Sequence, residues 1–139
     1  MRQPFEIIEH PADVGFVAYG ATLEELFANA ALAMLSLGCE LSGVEEKLSR
    51  AIEVSAADLE SLLYAWLAEI LGIADGEQLV FCRAEVSALG DDRVSGIVHG
   101  ERFDKARHRA GTYIKAVTMH QLRVEKTAEG WRAQVYLDV

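Results

Sequence analysis

At 139 residues, 51% hydrophobic and 25% charged, the chain has the size and composition of one soluble globular domain, residues 1–139. A chain of this length buries roughly 68% of the surface its unfolded form exposes, so a core can form without metal or disulfide staples. Its formal net charge of −9 argues against a nucleic-acid binder of the ordinary kind, which needs Lys and Arg to displace counterions from phosphates.

The charge is unevenly laid out. Residues 1–101 carry net −13, whereas residues 102–115 hold Arg102, Lys105, Arg107, Arg109 and Lys115 against Asp104 alone, net +4. Cys39 and Cys82 form no Cys-x-x-Cys pair, so they read as buried free thiols in a reducing compartment rather than as zinc ligands or a redox couple. No apolar run approaches the roughly 20 residues that span a bilayer. The segment Met1-Arg2-Gln3-Pro4 leads into a mixed stretch rather than a signal-peptide core, and the expected location is the cytoplasm.

In chain order, Phe5, Ile7 and Phe16 mark short strands on either side of a tight loop, His10-Pro11-Ala12-Asp13-Val14-Gly15. Thr22 followed by Glu25 is a capping box, and Leu23, Leu26, Phe27, Ala30, Ala31 and Met34 fall on one face of a helix from about Thr22 to Leu37, stopped at Gly38. A strand near Ala51–Ser55 precedes a second helix, opened by Asp58 and Glu60 and striped by Leu59, Leu62, Leu63, Trp66, Leu67 and Ile70; Gly72 is its expected end. Trp66 lies on that stripe and reads as core.

Strands follow at Leu79–Ala88, Arg93–Glu101, Ala116–Thr127 and Trp131–Asp138, with turns at Gly90-Asp91-Asp92 and Ala128-Glu129-Gly130. Two helices followed by consecutive antiparallel strands predict an α+β sandwich, the helices packed on largely antiparallel sheets.

The motifs of nucleotide-binding enzymes and common hydrolases are missing: there is no Gly-x-Gly-x-x-Gly, P-loop, Gly-x-Ser-x-Gly or His-Glu-x-x-His, and the four histidines have no zinc-like spacing. The remaining polar candidates lie where strands end. In the last strand Trp131, Ala133, Val135 and Leu137 alternate with Arg132, Gln134, Tyr136 and Asp138, which puts Asp138 on the face opposite Leu137. Its carboxylate and the α-carboxylate of Val139 form a self-repelling pair that a cation would relieve. Asp13 reads as an Asx-turn residue or a ligand, and His120 shares strand parity with Leu122 and Val124, as a half-buried histidine would. Lys115 reads as a solvated cation at a strand entrance. The basic segment 102–115 is either a solvated loop or a contact surface for something acidic, and the sequence leaves both open.

Those candidates coincide with a family pattern. His10-Pro-Ala-Asp-Val-Gly15, Thr22-Leu-Glu-Glu-Leu-Phe27, Asp58-Leu59, Gly100-Glu101, Lys115-Ala-Val-Thr118 with His120, and Val135-Tyr-Leu-Asp-Val139 together resemble the archease family from about residue 5 to the last residue. Each motif alone is weak; their order and spacing across a whole small chain are specific. Pro11 stands where the family usually has threonine, and Met119 where an aromatic residue is common.

The resemblance implies a non-catalytic protein cofactor of the tRNA-splicing RNA ligase, which joins 2′,3′-cyclic phosphate or 3′-phosphate ends to 5′-hydroxyl ends. Such cofactors promote ligase guanylylation and multiple turnover, with indirect contact to GTP or RNA at the ligase active site. It further implies a divalent-metal site, Ca2+ first with Mg2+ or Mn2+ as alternatives, held by Asp13, Asp138 and the terminal carboxylate or carbonyl of Val139. Lys115, His120 and His10 are the implied functional residues for ligase activation. An all-oxygen donor set selects such a hard cation over zinc. Two rival readings stand beside it: a metal-dependent enzyme acting on a small phosphorylated substrate, and an RNA-binding or chaperone-like module working through residues 102–115.

Overall fold

A computed structural model describes residues 3–9 and 13–139. The order of elements is β1 (Phe5–Glu9), β2 (Asp13–Gly20), α1 (Leu23–Gly38), a short 3-10 turn (Leu41–Gly43), β3 (Leu48–Ser55), α2 (Leu59–Glu77), β4 (Leu79–Leu89), β5 (Arg93–Arg102), β6 (Ala116–Val117), β7 (Arg123–Thr127) and β8 (Gly130–Asp138). All strand pairings are antiparallel among the described residues, in two sheets. The larger runs β1-β2-β8, and the far edge of β8 is shared by β6 at one end and β7 at the other; the smaller runs β3-β5-β4. The α+β expectation holds.

Both helices start as their sequences require. Thr22 Oγ1 accepts the Glu25 amide at 3.1 Å, and Glu25 Oε1 reaches back to the Ala21 amide at 3.1 Å. In α2 the cap is Asp58, whose Oδ1 accepts the Ser61 amide at 2.8 Å. The buried face of α1 is Leu26, Phe27, Ala30, Ala31, Ala33 and Met34; its small residues let the helix sit close to both β2 and β4. On α2, Leu62, Leu63, Trp66, Leu67 and Ile70 are buried.

Trp66 is fully buried, and its indole Nε1 donates to the Phe27 carbonyl at 3.0 Å, tying α2 to α1. The ring lies on β5 at Gly96, where an added Cβ would come within 2.7 Å of the indole and 2.2 Å of the Glu85 carbonyl oxygen. One continuous buried cluster collects residues of both helices and both sheets.

Four expectations are corrected. Gly72 does not end α2: the helix continues to Glu77 and closes at Gln78, which takes left-handed backbone with φ 56°. Beyond Gly72, the partly buried Ile73 and Ala74 still pack against the core, so tertiary contacts outweigh a local glycine penalty of about 1 kcal/mol. Residues 116–127 are not one strand. Thr118 binds the Tyr136 carbonyl with both its amide (3.2 Å) and Oγ1 (2.9 Å), Leu122 closes a turn onto the Met119 carbonyl (3.2 Å), and Gln121 has φ 52°. The chain therefore leaves the edge of β8 after Thr118 and rejoins it at Arg123.

His120 consequently sits in that turn and is exposed, not half-buried on a strand. Of the cysteines, Cys39 is buried as expected, whereas Cys82 is half-buried at an irregularity of β4; both are free thiols. No helix among the described residues is long and apolar enough to cross a membrane.

Candidate functional site

The site lies at one end of the larger sheet, and antiparallel register builds it. Asp13 opens β2 and pairs directly with Asp138 of β8; on the other side of β8, Ala116 of β6 pairs with the same Asp138. Residues facing one another across an antiparallel pair share a sheet face with Cβ atoms about 5 Å apart. The two carboxylates therefore emerge side by side on the outer face, while Leu137, one step along, turns into the core.

Lys115 joins them through its backbone. Its amide donates to the Asp138 carbonyl at 2.8 Å, which fixes an exposed ammonium-bearing side chain one residue from the strand position facing Asp138. Val139 follows directly and is half-buried.

His120 is brought to the same end through Tyr136. Gly15 faces Tyr136 across β2 and β8, and a Cβ at Gly15 would meet the tyrosine ring at 2.6 Å, so only glycine lets that ring lie over β2. The His120 ring lies 6.1 Å from Tyr136 between centroids. The turn that carries it is held by Thr118 Oγ1, which accepts the His120 amide at 3.3 Å, and by Gln134 Nε2, which donates to the Gln121 carbonyl at 3.1 Å.

Four of the sequence candidates, Asp13, Asp138, Lys115 and His120, are thus gathered at one place. His10, with Pro11 and Ala12 of the same loop, lies outside the described residues. Tyr136, whose ring lies near both Gly15 and His120, was missed as a site residue. The signal for it was a glycine placed opposite an aromatic residue, which needs the register to be read.

Facing carboxylates on neighbouring strands repel, and such like-charge pairs destabilise a sheet unless a cation sits between them. Carboxylate oxygens paired in this way are donors of the kind a hard divalent cation takes. Among the described residues no group of three or more His, Cys, Asp or Glu side chains gathers into a metal cluster.

A second polar centre anchors the segment leading into the site. Glu101, at the end of β5, is 3% exposed and has its carboxylate filled. Arg107 grips both oxygens (2.7 and 3.1 Å), the Glu45 amide donates at 2.7 Å, and His108 Nε2 lies 2.9 Å away. Arg107 first, then the Glu45 amide and His108, hold this carboxyl well below the usual range. His108 is itself buried, and the Asp104 amide donates to its Nδ1 at 2.9 Å, which places the ring proton on Nε2 facing Glu101. Sequence reading took Glu101 only as part of a motif and His108 only as one of four histidines. Their pairing depends on the loop folding back across the end of β5.

Residues 5–139 match the model of the Archease protein family (MTH1598/TM1083). The chain is 40% identical to the protein archease of Methanosarcina acetivorans, over 97% of this chain and 95% of that one. It is also 40% identical to the protein archease of Pyrococcus furiosus, over the full length of both. Its fold is similar to the solution structure of Methanobacterium thermoautotrophicum protein 1598, with TM-score 0.83, 36% identity and coverage of 98% and 99% of the two chains. At 21% identity, the crystal structure of an archease, possible chaperone, from Thermotoga maritima shares the fold with TM-score 0.66, covering 100% of this chain and 98% of that one.

Proposed function

The chain belongs to the archease family, and from that premise we propose that it serves as a protein cofactor of a tRNA-splicing RNA ligase, promoting ligase guanylylation and repeated turnover without catalysing ligation itself. The observation that carries this reading is the meeting of Asp13, Asp138 and Lys115 at one sheet end, on strands far apart in sequence. Two anions and a cation, displayed on a rigid edge beside an exposed histidine, are suited to enter the ligase active site rather than to enclose a small substrate. Guanylyl transfer is helped chiefly by positioning and charge stabilisation, which such a cluster can supply.

In this reading Asp13, Asp138 and an oxygen of Val139 hold a divalent cation, Ca2+, Mg2+ or Mn2+. When bound, the ion would neutralise the carboxylate pair and leave the positive charge of Lys115 unopposed. Tyr136 and Gly15 position His120, and Thr118 fixes the turn that carries it.

The test is RNA ligation by the cognate ligase under single-turnover and multiple-turnover conditions, with and without this protein. Wild-type protein is expected to raise guanylylated ligase and the number of turnovers. Lys115→Ala should keep a wild-type melting profile in chelator, Asp138→Ala should melt no lower than wild type there, and both should lose the stimulation. A ligase equally active with wild type, with either variant and with no added protein would overturn the reading.

A further inference from the structure

The basic segment between Arg102 and Lys115 has little regular structure, yet it is tied down along its length. The Phe103 amide bonds to the Gln78 carbonyl at 2.9 Å, Gly111 to Gly38 at 3.0 Å, Thr112 to Leu37 at 2.9 Å and Lys115 to Asp138 at 2.8 Å. Only His108 and Ile114 turn inward; every other residue from Arg102 to Lys115 is exposed. A strap fixed at so many points loses little conformational freedom when something binds along it.

Two of its exposed side chains are aromatic. Phe103 is 36% exposed and Tyr113 is 68% exposed, and both line one hollow of about 350 Å³ beside the C-terminal end of α2. Phe103 is also a wall of the adjoining hollow, about 690 Å³, which holds Arg102 and Lys105. Among the described residues neither of these two cations has an ion-pair partner within 4.0 Å, whereas Arg107 is consumed by Glu101. The acids of the strap are occupied too: Glu101 by Arg107 and His108, and Asp104 Oδ1 by the Ala106 amide at 2.9 Å.

We propose that this strap is a binding track for a single-stranded polynucleotide, RNA in the reaction proposed above, with bases stacked on Phe103 and Tyr113 and phosphates met by Arg102 and Lys105. Flat exposed rings interleaved with unpaired cations are what unpaired nucleotides require; a duplex keeps its bases inside the stack, and an acidic polypeptide uses the cations but leaves the rings bare. Acids from earlier in the chain do reach the strap, Asp75 lining the smaller hollow and Glu45 and Glu40 pairing with Arg107 and Arg109, so the phosphates are met on the side that carries Arg102 and Lys105. The track ends at Lys115, beside the carboxylate pair, so a strand lying on it would be led toward the cofactor site. The inference goes beyond the cofactor reading, which requires contact with the ligase but none with RNA.

The experiment is fluorescence anisotropy of a labelled unstructured 12-mer RNA titrated with the full chain, without ligase and in chelator. Parallel arms use DNA of the same sequence, an RNA duplex and polyglutamate. Saturable binding of the single strands is expected, with a log–log salt slope of about −1.4 for two phosphates, falling to about −0.7 in Lys105→Ala. Tyr113→Ala should weaken binding about 5- to 160-fold without changing the melting temperature, as its ring is mostly in solvent. Phe103→Ala should do the same, but it also removes a contact with His108 (5.7 Å between centroids), so Tyr113 is the deciding position.

No saturable binding at low salt, binding indifferent to Tyr113→Ala and Lys105→Ala, or equally tight binding of duplex or polyglutamate overturns the track. Because ligase is absent, the two readings separate. Stimulation of ligation by a protein that binds no RNA removes the track alone, and RNA binding without stimulation removes the cofactor reading alone.

Discussion

Replacing Asp138 by Asn is the sharpest test of the carboxylate pair, because it changes one charge at nearly constant shape. Asp138 faces Asp13 across β2 and β8 and is exposed. Two unit charges about 5 Å apart in water repel by about 0.8 kcal/mol. In chelator and at low salt, Asp138→Asn should therefore be more stable than wild type by up to that amount, a rise of at most about 3 °C in melting temperature for a domain of this size.

Adding Ca2+ or Mg2+ should reverse the order. A cation at 100 times its dissociation constant stabilises the protein that binds it by about 2.7 kcal/mol. The variant, with one carboxylate removed, should gain much less. Thermal unfolding followed by circular dichroism, with chelator and across a cation titration, reads both halves. If Asp138→Asn melts at or below wild type in chelator, the facing carboxylates do not repel as argued. If both proteins gain equally from the cation, the ion binds elsewhere.

The remaining predictions concern what supports that end of the sheet. Gly72→Ala should stabilise the protein by about 0.5–1 kcal/mol in urea unfolding, since Gly72 lies inside α2, is exposed and has open space around an added Cβ; a loss of stability would mean that α2 does not continue through it. Trp66→Phe should cost about 2–4 kcal/mol in the same assay, because it empties part of a fully buried site and removes the indole donor to the Phe27 carbonyl.

Acid should release the Glu101 anchor. The folded carboxyl lies below its ordinary value of 4.5, so its stabilisation is complete above that value and is lost as the pH falls toward the folded one. The stability gap between wild type and Glu101→Gln, measured by denaturant unfolding at a series of pH values, should narrow continuously below about pH 4.5; a gap that stays constant through the acid range would refute the assignment.

The local rules were legible in the sequence. The three-four spacing of Leu26, Phe27, Ala30, Ala31 and Met34 and of Leu62, Leu63, Trp66, Leu67 and Ile70 names the buried faces of both helices, and Thr22 and Asp58 name their starts. Period-two alternation in β8 puts Ala133, Val135 and Leu137 inside and Asp138 outside, because side-chain direction along a strand follows from backbone geometry alone. The helix end at Gln78 and the break between β6 and β7 were not legible. A glycine in a helix is a modest local cost that packing overrides, and the turn at residues 118–122 uses Thr118 and Gln121 rather than the glycine or proline that marks most turns.

The site itself divides the same way. Sequence supplied Asp13, Lys115 and Asp138 as separate polar residues at strand ends and His120 as one within a strand. Only the strand order β1-β2-β8, with β6 on the far side of β8, makes Asp13 and Asp138 neighbours and brings Lys115 to their edge. The pairing of Glu101 with His108, and of Tyr136 with Gly15 and His120, likewise follows from which backbones lie side by side. Chemistry at each position is written in the residue, but distance between residues far apart in the chain is set by long-range pairing, which no local pattern encodes.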